Sequence, residues 1–223
     1  MKTKIFIAAI FIICATFIAS FSFVTELDAK EFGGGDMNPA MKNLSKSEEL
    51  RINMRKLWED HIEWTRNAIL CITDQLPGMD QAVNRLLKNQ VDIGNAIKPY
   101  YGNDAGDKLT GLLKSHITIA AEVVQAAKDG NSAKLDDANK RWQQNADEIS
   151  KFLSSANPNW KLDDLKMMMD NHLKLTTGEA LARIQKNYDA DIKAYDDVHN
   201  EILMMSDALT DGIIKQFPKK FNK

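Results

Sequence analysis

Histidines are the residues of this chain whose type and spacing could do chemistry. His61, His116 and His172 are separated by 55 and 56 residues, and each lies within an apolar stripe of helical spacing. A fourth, His199, lies on a similar stripe. Neutral imidazole is the commonest protein ligand for transition metals. Imidazoles that face inward from different helices therefore predict, as one hypothesis, a transition-metal or haem site in a helical bundle.

Acidic, amide and thioether side chains near the histidines allow two interpretations. Glu179 lies on the helical face of His172 and could complete a metal-ligand set. The neighbouring methionines would suit copper(I), since thioethers are soft ligands: Met168, Met169, Met204 and Met205. Alternatively, each histidine fills a core position and hydrogen-bonds to the next helix, because buried polar groups need partners. The predicted partners are Asn89, Asp92, Asn145, Asp147, Asn187 and Asp191.

No spacing typical of a known catalytic or metal motif accompanies these residues. The chain has no His-Glu-x-x-His, no Cys-x-x-Cys-His and no Glu-x-x-His pair, and Asp196-x-x-His199 is the nearest arrangement. It also has no Gly-x-Ser-x-Gly and no phosphate-binding glycine loop. A binding or interaction protein without a catalytic site is therefore the first hypothesis. A metal- or haem-binding bundle is the second, and an enzyme of unknown reaction is the third.

The elements that must position these residues are helices. Among 223 residues, Gly (11) and Pro (5) are few, and alternating β-branched runs are almost absent, which is typical of an all-α protein. The net charge of −2 argues against a nucleic-acid partner. Apolar stripes and turn signals predict a bundle of six helices, at about 46–75, 80–98, 104–128, 132–155, from 162, and up to 216. The break between the last two is predicted at 176–179, at 187–189, or not at all.

The three histidines are also flanked by similar residues at equivalent positions. An apolar residue lies seven positions before each histidine, at Met54, Leu109 and Leu165. The partner helices carry Arg85 with Asn89, Arg141 with Asn145, and Arg183 with Asn187. We interpret this as a degenerate triplication of a helical hairpin of about 55 residues. The alternative is that the similarity arises by chance, because any six-helix bundle with heptad-spaced apolar residues shows such recurrences. Hairpins closed around an axis would bring the histidines together, whereas open stacking would separate them by about 8–10 Å per step.

Residues 1–29 carry an export signal, since a short basic start precedes an almost continuous apolar run at 5–24. That run could be a cleaved signal peptide or a retained membrane anchor. Either one places the rest of the chain outside the cytoplasm: periplasmic, secreted, or anchored to the outer face of the cytoplasmic membrane. Residues 30–45 read as a flexible linker, 46–218 as the helical domain and 219–223 as a basic tail. Cys71, the cysteine left after the leader, is predicted to be a small buried residue.

Three stretches of the chain resemble a known family. They are 57–62 (LWEDHI), 89–97 (NQVDIGNAI) and 216–218 (QFP), and the likeness spans 46–218. The family comprises small exported bacterial helical proteins that are uncharacterised, and some members carry a glycosyltransferase label. Nothing in this sequence supports that label, because the folds that bind nucleotide sugars need parallel strands and this sequence shows no strand pattern. The resemblance implies a helical fold and export, and it implies no catalytic residues. The hypothesis of a binding protein separately predicts an unknown protein or small-molecule ligand outside the cytoplasm.

Overall fold

A computed structural model describes residues 44–222, and this part of the chain is helical apart from short connections. The helices are α1 Lys46–Asp74, α2 Met79–Tyr101, α3 Asn103–Lys128, α4 Ser132–Ala156, α5 Leu162–Ile184, α6 Tyr188–Gln216 and α7 Pro218–Phe221. Because residues 44–222 contain no strand, the predicted all-α bundle is confirmed. None of these helices is long and apolar enough to cross a bilayer. The predicted leader and most of the linker lie outside the described residues, and the predicted basic tail begins inside α7.

Helix starts follow from local capping chemistry. The Ser45 hydroxyl accepts the backbone N–H of Glu48, and the Glu48 carboxylate accepts the N–H of Ser45 at 2.8 Å, which makes a capping box. Helices α4 and α6 begin after Asn131 and Asn187, whose side-chain oxygens accept the N–H three residues later. The break between the last two long helices is therefore at Asn187, and the alternative at 176–179 lies inside α5.

Helix α2 ends later than its proline suggested. The sequence predicted a stop before Pro99, but the helix continues to Tyr101 and contains the proline in its last turn. The residue that ends it is Gly102, which has a φ of 86° and donates its N–H to the Lys98 carbonyl at 2.9 Å. Only glycine adopts this φ without strain, so the glycine rather than the proline terminates the helix.

The six long helices close into a ring. Each packs on the next along the chain, and α6 packs on α1. Helices α1, α3 and α5, which carry the three equally spaced histidines, also contact one another. They therefore form an inner layer, and α2, α4 and α6 lie between them on the outside. This closed arrangement puts side chains from different hairpins within reach of each other at the centre.

The main apolar core runs along this centre. Its largest fully buried apolar side chains come from α1, α2, α4 and α6: Met54, Ile62, Ile93, Ile149, Ile202 and Ile213. Two smaller clusters lie closer to the C-terminal ends of α1 and α3, around Ile72 and Ile117. Cys71, predicted to be buried, is only half-buried. The core thus holds the inner helices together on both sides of the histidines.

Gly212 on α6 packs directly against the Trp160 indole, so a Cβ at this position would overlap the ring. We expect Gly212→Ala to lower the free energy of unfolding by about 1–3 kcal/mol, because a buried indole would have to move. Gly111→Ala on α3 is the control, since a Cβ there meets nothing within 4 Å. It should raise stability by about 0.5–1 kcal/mol, because alanine is the better helix former. Chemical denaturation measures both, and equal losses would contradict this account.

Candidate functional site

Three imidazoles meet at the centre of the bundle. The His172 ring centroid lies 5.9 Å from that of His61 and 6.2 Å from that of His116. All three residues are buried. They come from α5, α1 and α3, so the closed packing of the inner helices brings together side chains that open stacking would have separated.

Each imidazole has a polar partner 29 residues later, on the following helix. The atoms and distances are His61 Nδ1 with Gln90 Nε2 at 3.2 Å, His116 Nδ1 with Asn145 Oδ1 at 2.9 Å, and His172 Nδ1 with Glu201 Oε2 at 3.0 Å. A triplicated hairpin would produce such constant spacing, and the triplication itself stays a prediction. The three partners differ in chemistry, so the three imidazoles differ in what they can do.

His61 accepts a hydrogen bond through Nδ1. Gln90 Nε2 donates to the Leu86 carbonyl at 2.8 Å, which fixes the amide so that it also presents N–H to the imidazole. Burial, reinforced by the other two histidines, holds the pKa of His61 well below its usual value, so the ring is neutral. A neutral ring that accepts at Nδ1 carries its proton on Nε2 and has no second lone pair for a metal.

His116 uses both of its nitrogens. Asn145 Nδ2 donates to the Leu112 carbonyl at 3.1 Å, so Asn145 Oδ1 faces the imidazole and accepts its Nδ1–H. His116 Nε2 in turn accepts the indole N–H of Trp142 at 3.2 Å. Burial lowers the pKa of His116 to about 3, so this ring is also neutral. His116 is therefore a core residue with a complete set of hydrogen bonds.

His172 is the exception. Its Nδ1 donates to Glu201, a buried carboxylate on α6. No hydrogen bond reaches its Nε2 from any residue between 44 and 222. In its neutral form, with the proton on the nitrogen that faces Glu201, His172 would carry a lone pair on Nε2, and the carboxylate would fix the orientation of the ring.

Two of the predicted metal ligands lie elsewhere. His199 is partly exposed on α6, with its Nε2 3.8 Å from the Glu59 carboxylate. Glu179 lies two helical turns beyond the histidine layer, where its carboxylate accepts from Arg66 at 2.7 Å. Asp191, predicted as a histidine partner, accepts from the same guanidinium at 2.8 Å. Burial raises the pKa of Glu179 to about 7, and Arg66 opposes that rise. Arg66, Glu179 and Asp191 thus form a buried ion-pair network that is separate from the three histidines.

Of the other predicted histidine partners, one contacts a histidine and the rest do not. Asn145 bonds to His116 as predicted, whereas Asn89 donates to the Leu57 carbonyl. Asp147 pairs with Lys166, Asn187 caps α6, and half-buried Asp92 makes no hydrogen bond to a histidine within the described chain. Arg183 and Asn187 were matched to the Arg–Asn pairs of the other two hairpins, although about 13 residues fewer separate Arg183 from its histidine, and the structure places this pair at the α5–α6 turn.

Gln90 and Glu201, the partners of His61 and His172, were not predicted from the sequence. A constant offset of 29 residues from each histidine would have found both. Glu201 was also obscured because an acidic residue usually indicates a solvated helix face, and this one is buried.

The three imidazoles do not make a three-nitrogen metal centre. Within residues 44–222, no group of three or more His, Cys, Asp or Glu side chains is placed to hold a metal ion. His61 presents a proton, His116 has no free nitrogen, and only His172 could bind through Nε2. The cavity that the histidines line has a volume of about 40 Å³, which is far too small for a haem macrocycle.

A second, larger cavity of about 200 Å³ lies beyond the histidine layer, toward the C-terminal ends of α1, α3 and α5. Its walls come from five helices and are mainly apolar, including Ala68, Ile72, Leu86, Val124, Leu135 and Ala180. Thr176 also lines it, and its buried hydroxyl has no hydrogen-bond partner in the described chain. Thr65, which is likewise four residues after a histidine, donates to the His61 carbonyl at 2.7 Å. The interior therefore contains an unfilled apolar space next to a layer of polar groups.

Comparison of the chain with known protein families, with curated proteins and with solved structures gives no match. The resemblance of residues 46–218 to small exported helical proteins therefore stays a prediction. An inference about its function therefore has to be drawn from the chemistry of its interior.

Proposed function

We propose that this protein is an extracytoplasmic binding protein that holds a small, mainly apolar molecule inside its helical bundle. The observation that carries the proposal is the cavity of about 200 Å³. Protein interiors are close-packed, with few voids larger than a water molecule. An apolar cavity of about 150 Å³ can stay dry and bind benzene. An empty cavity also lowers stability, so a ligand that fills this one would stabilise the fold.

The lining matches a neutral ligand. Alanines from α1, α3 and α5 leave the space open: Ala68, Ala120, Ala121, Ala127 and Ala180. Isoleucine, leucine and valine side chains form most of the remaining wall. None of its described lining residues is charged, so a charged ligand would lose its hydration without gaining a partner. The ligand class is therefore a small hydrocarbon or aromatic molecule with little polarity.

The same lining favours binding over catalysis. It contains no Asp, Glu, His, Lys, Arg, Cys or Tyr side chain among the residues that the structure describes. General acid–base chemistry needs a titratable group within hydrogen-bond reach of the substrate. The export signal predicted at residues 1–29 is the basis for proposing a location outside the cytoplasm.

The cavity lies close to the surface at two places. An open groove between α2, α3 and α4 shares Ile72, Val83 and Ala121 with the cavity wall. On α5, Leu181 lines the cavity and is itself exposed. Small movements of these side chains would give a ligand its entry route.

Filling the cavity tests the proposal. We expect at least one of toluene, indole and naphthalene to raise the melting temperature of the purified protein in a concentration-dependent manner. Ala180→Leu should weaken that ligand's affinity about ten-fold or more, because the new side chain occupies its space. The ligand-free variant should keep or gain stability. Ala105→Leu on α3, outside the cavity, is the matched control and should bind as the parent does.

Thermal shift and calorimetric titration measure both effects. If Ala180→Leu fails to fold, Ala68→Leu fills the same cavity from α1. The proposal is overturned if none of the three molecules binds, or if a folded cavity-filling variant binds as tightly as the parent.

A further inference from the structure

The small cavity that the three histidines line is also lined by methionines, whose thioether sulfurs are soft metal ligands. Its volume is about 40 Å³, and its walls include His61, His116 and His172 together with three methionines, Met54, Met169 and Met205. The remaining lining side chains are apolar apart from two tryptophan N–H groups. A space of this size fits a single ion or a few water molecules.

Two of the methionines are related by helical spacing to His172 or to its partner Glu201. Met169 precedes His172 by three residues on α5, and residues at this spacing are neighbours on one helix face. Met205 follows Glu201, the partner of His172, by four residues on α6, so these two also share a face. Both methionines are buried and line the cavity. His172 and the two methionines therefore line the same small cavity.

We propose that His172, Met169 and Met205 bind one copper(I) ion in this cavity. Thioethers are soft ligands and imidazole is a borderline one, and two neutral thioethers with one neutral imidazole favour Cu(I) over hard or borderline divalent ions. His61 and His116 do not belong to the ligand set, because their hydrogen bonds leave no nitrogen lone pair free. The site differs in place and chemistry from the apolar cavity of about 200 Å³.

The charge of the site also favours a monovalent ion. The three ligands are neutral, and the buried carboxylate of Glu201 accepts from His172 Nδ1 at 3.0 Å. One positive charge on the ion and one negative charge on Glu201 make the filled site neutral, which limits the cost of burying it. A divalent ion would leave one uncompensated positive charge. Through the Nδ1–H bond, Glu201 also fixes the tautomer in which His172 Nε2 is a ligand.

The test is an anaerobic titration of the full-length protein with Cu(I) in competition with the chromophoric chelator bicinchoninate. We expect uptake of one equivalent, and weaker uptake by a factor of about ten or more in Met169→Leu, in Met205→Leu and in His172→Gln. Leucine conserves most of the volume of methionine, so these variants should stay folded, which circular dichroism checks. Met204→Leu is the control, because this neighbouring methionine is 66% exposed.

Further measurements separate binding from packing. X-ray absorption of the loaded protein should show sulfur and nitrogen in the copper shell, and Zn²⁺ should not compete for the site. Ala180→Leu should bind Cu(I) like the parent, because it changes only the larger cavity. The proposal is overturned if Cu(I) is not taken up. It is also overturned if folded Met169→Leu and Met205→Leu bind Cu(I) as tightly as the parent and Met204→Leu.

Discussion

Replacing Arg66 by methionine is expected to lower the free energy of unfolding by about 3 kcal/mol at pH 8. Arg66 donates to Glu179 at 2.7 Å and to Asp191 at 2.8 Å, and both carboxylates are buried. Asp191 also accepts from Arg183 at 3.2 Å and would keep that partner. Glu179 would lose the only cationic partner that the described residues give it. The loss is large because an uncompensated charge would remain in the interior.

The effect should depend on pH, with a sign that identifies Glu179. Burial raises the pKa of Glu179 to about 7, above its unfolded value of 4.5, so the fold favours the protonated acid. That contribution is fully present below pH 4.5 and is lost as pH rises through 7. Without Arg66 the pKa of Glu179 rises further. The deficit of Arg66→Met should therefore be larger at pH 8 than at pH 6, and adding Glu179→Gln should recover part of it.

Urea denaturation at the two pH values measures these differences. Arg55→Met is the matched control, because Arg55 pairs with Asp207 at the surface and 45% of its side chain is exposed. It should cost less than about 1 kcal/mol. If Arg55→Met and Arg66→Met cost the same at pH 8, the buried network does not stabilise the fold as described.

Acid should destabilise the protein through the buried histidines. Burial lowers the pKa of His116 from 6.5 to about 3. Between these values the unfolded chain binds a proton that the folded chain does not, so stability falls as pH falls. At 1.36 kcal/mol per unit, His116 alone accounts for a loss of about 3 kcal/mol by pH 4. His61, whose pKa is also lowered, acts in the same direction, whereas Glu179 acts in the opposite one between pH 4.5 and 7.

Replacing His116 by glutamine separates its titration from its packing. The variant should lose about 1–3 kcal/mol at pH 7, because Asn145 and Trp142 lose well-aligned partners. Its stability should then fall less steeply than that of the parent between pH 6.5 and 4. His199→Gln is the control, since His199 is partly exposed and makes no buried hydrogen bond. Parallel pH profiles for the parent and His116→Gln would contradict this assignment.

Local sequence was sufficient to predict the first four helices and most of their ends, but it left the break between α5 and α6 open among 176–179, 187–189 and no break. Capping depends on side chains within three residues of each other, so the starts of α1, α4 and α6 follow from Ser45, Asn131 and Asn187. The apolar stripes likewise placed His61 and its equivalents in the interior. The end of α2 was missed because a single backbone conformation at Gly102, rather than the preceding proline, terminates that helix.

The roles of the buried polar groups depend on contacts between helices that are distant in the chain. Glu179 shares a helix face with His172, yet the packing of α1 on α5 pairs its carboxylate with the guanidinium of Arg66. The hydrogen-bonding role of each imidazole depends on whether the facing group is the amide N–H of Gln90, the carbonyl of Asn145 or the carboxylate of Glu201. The two cavities arise in the same way, since they are spaces between helices. Spacing along the chain reports which face of a helix is buried, but only the packed bundle decides what that face meets.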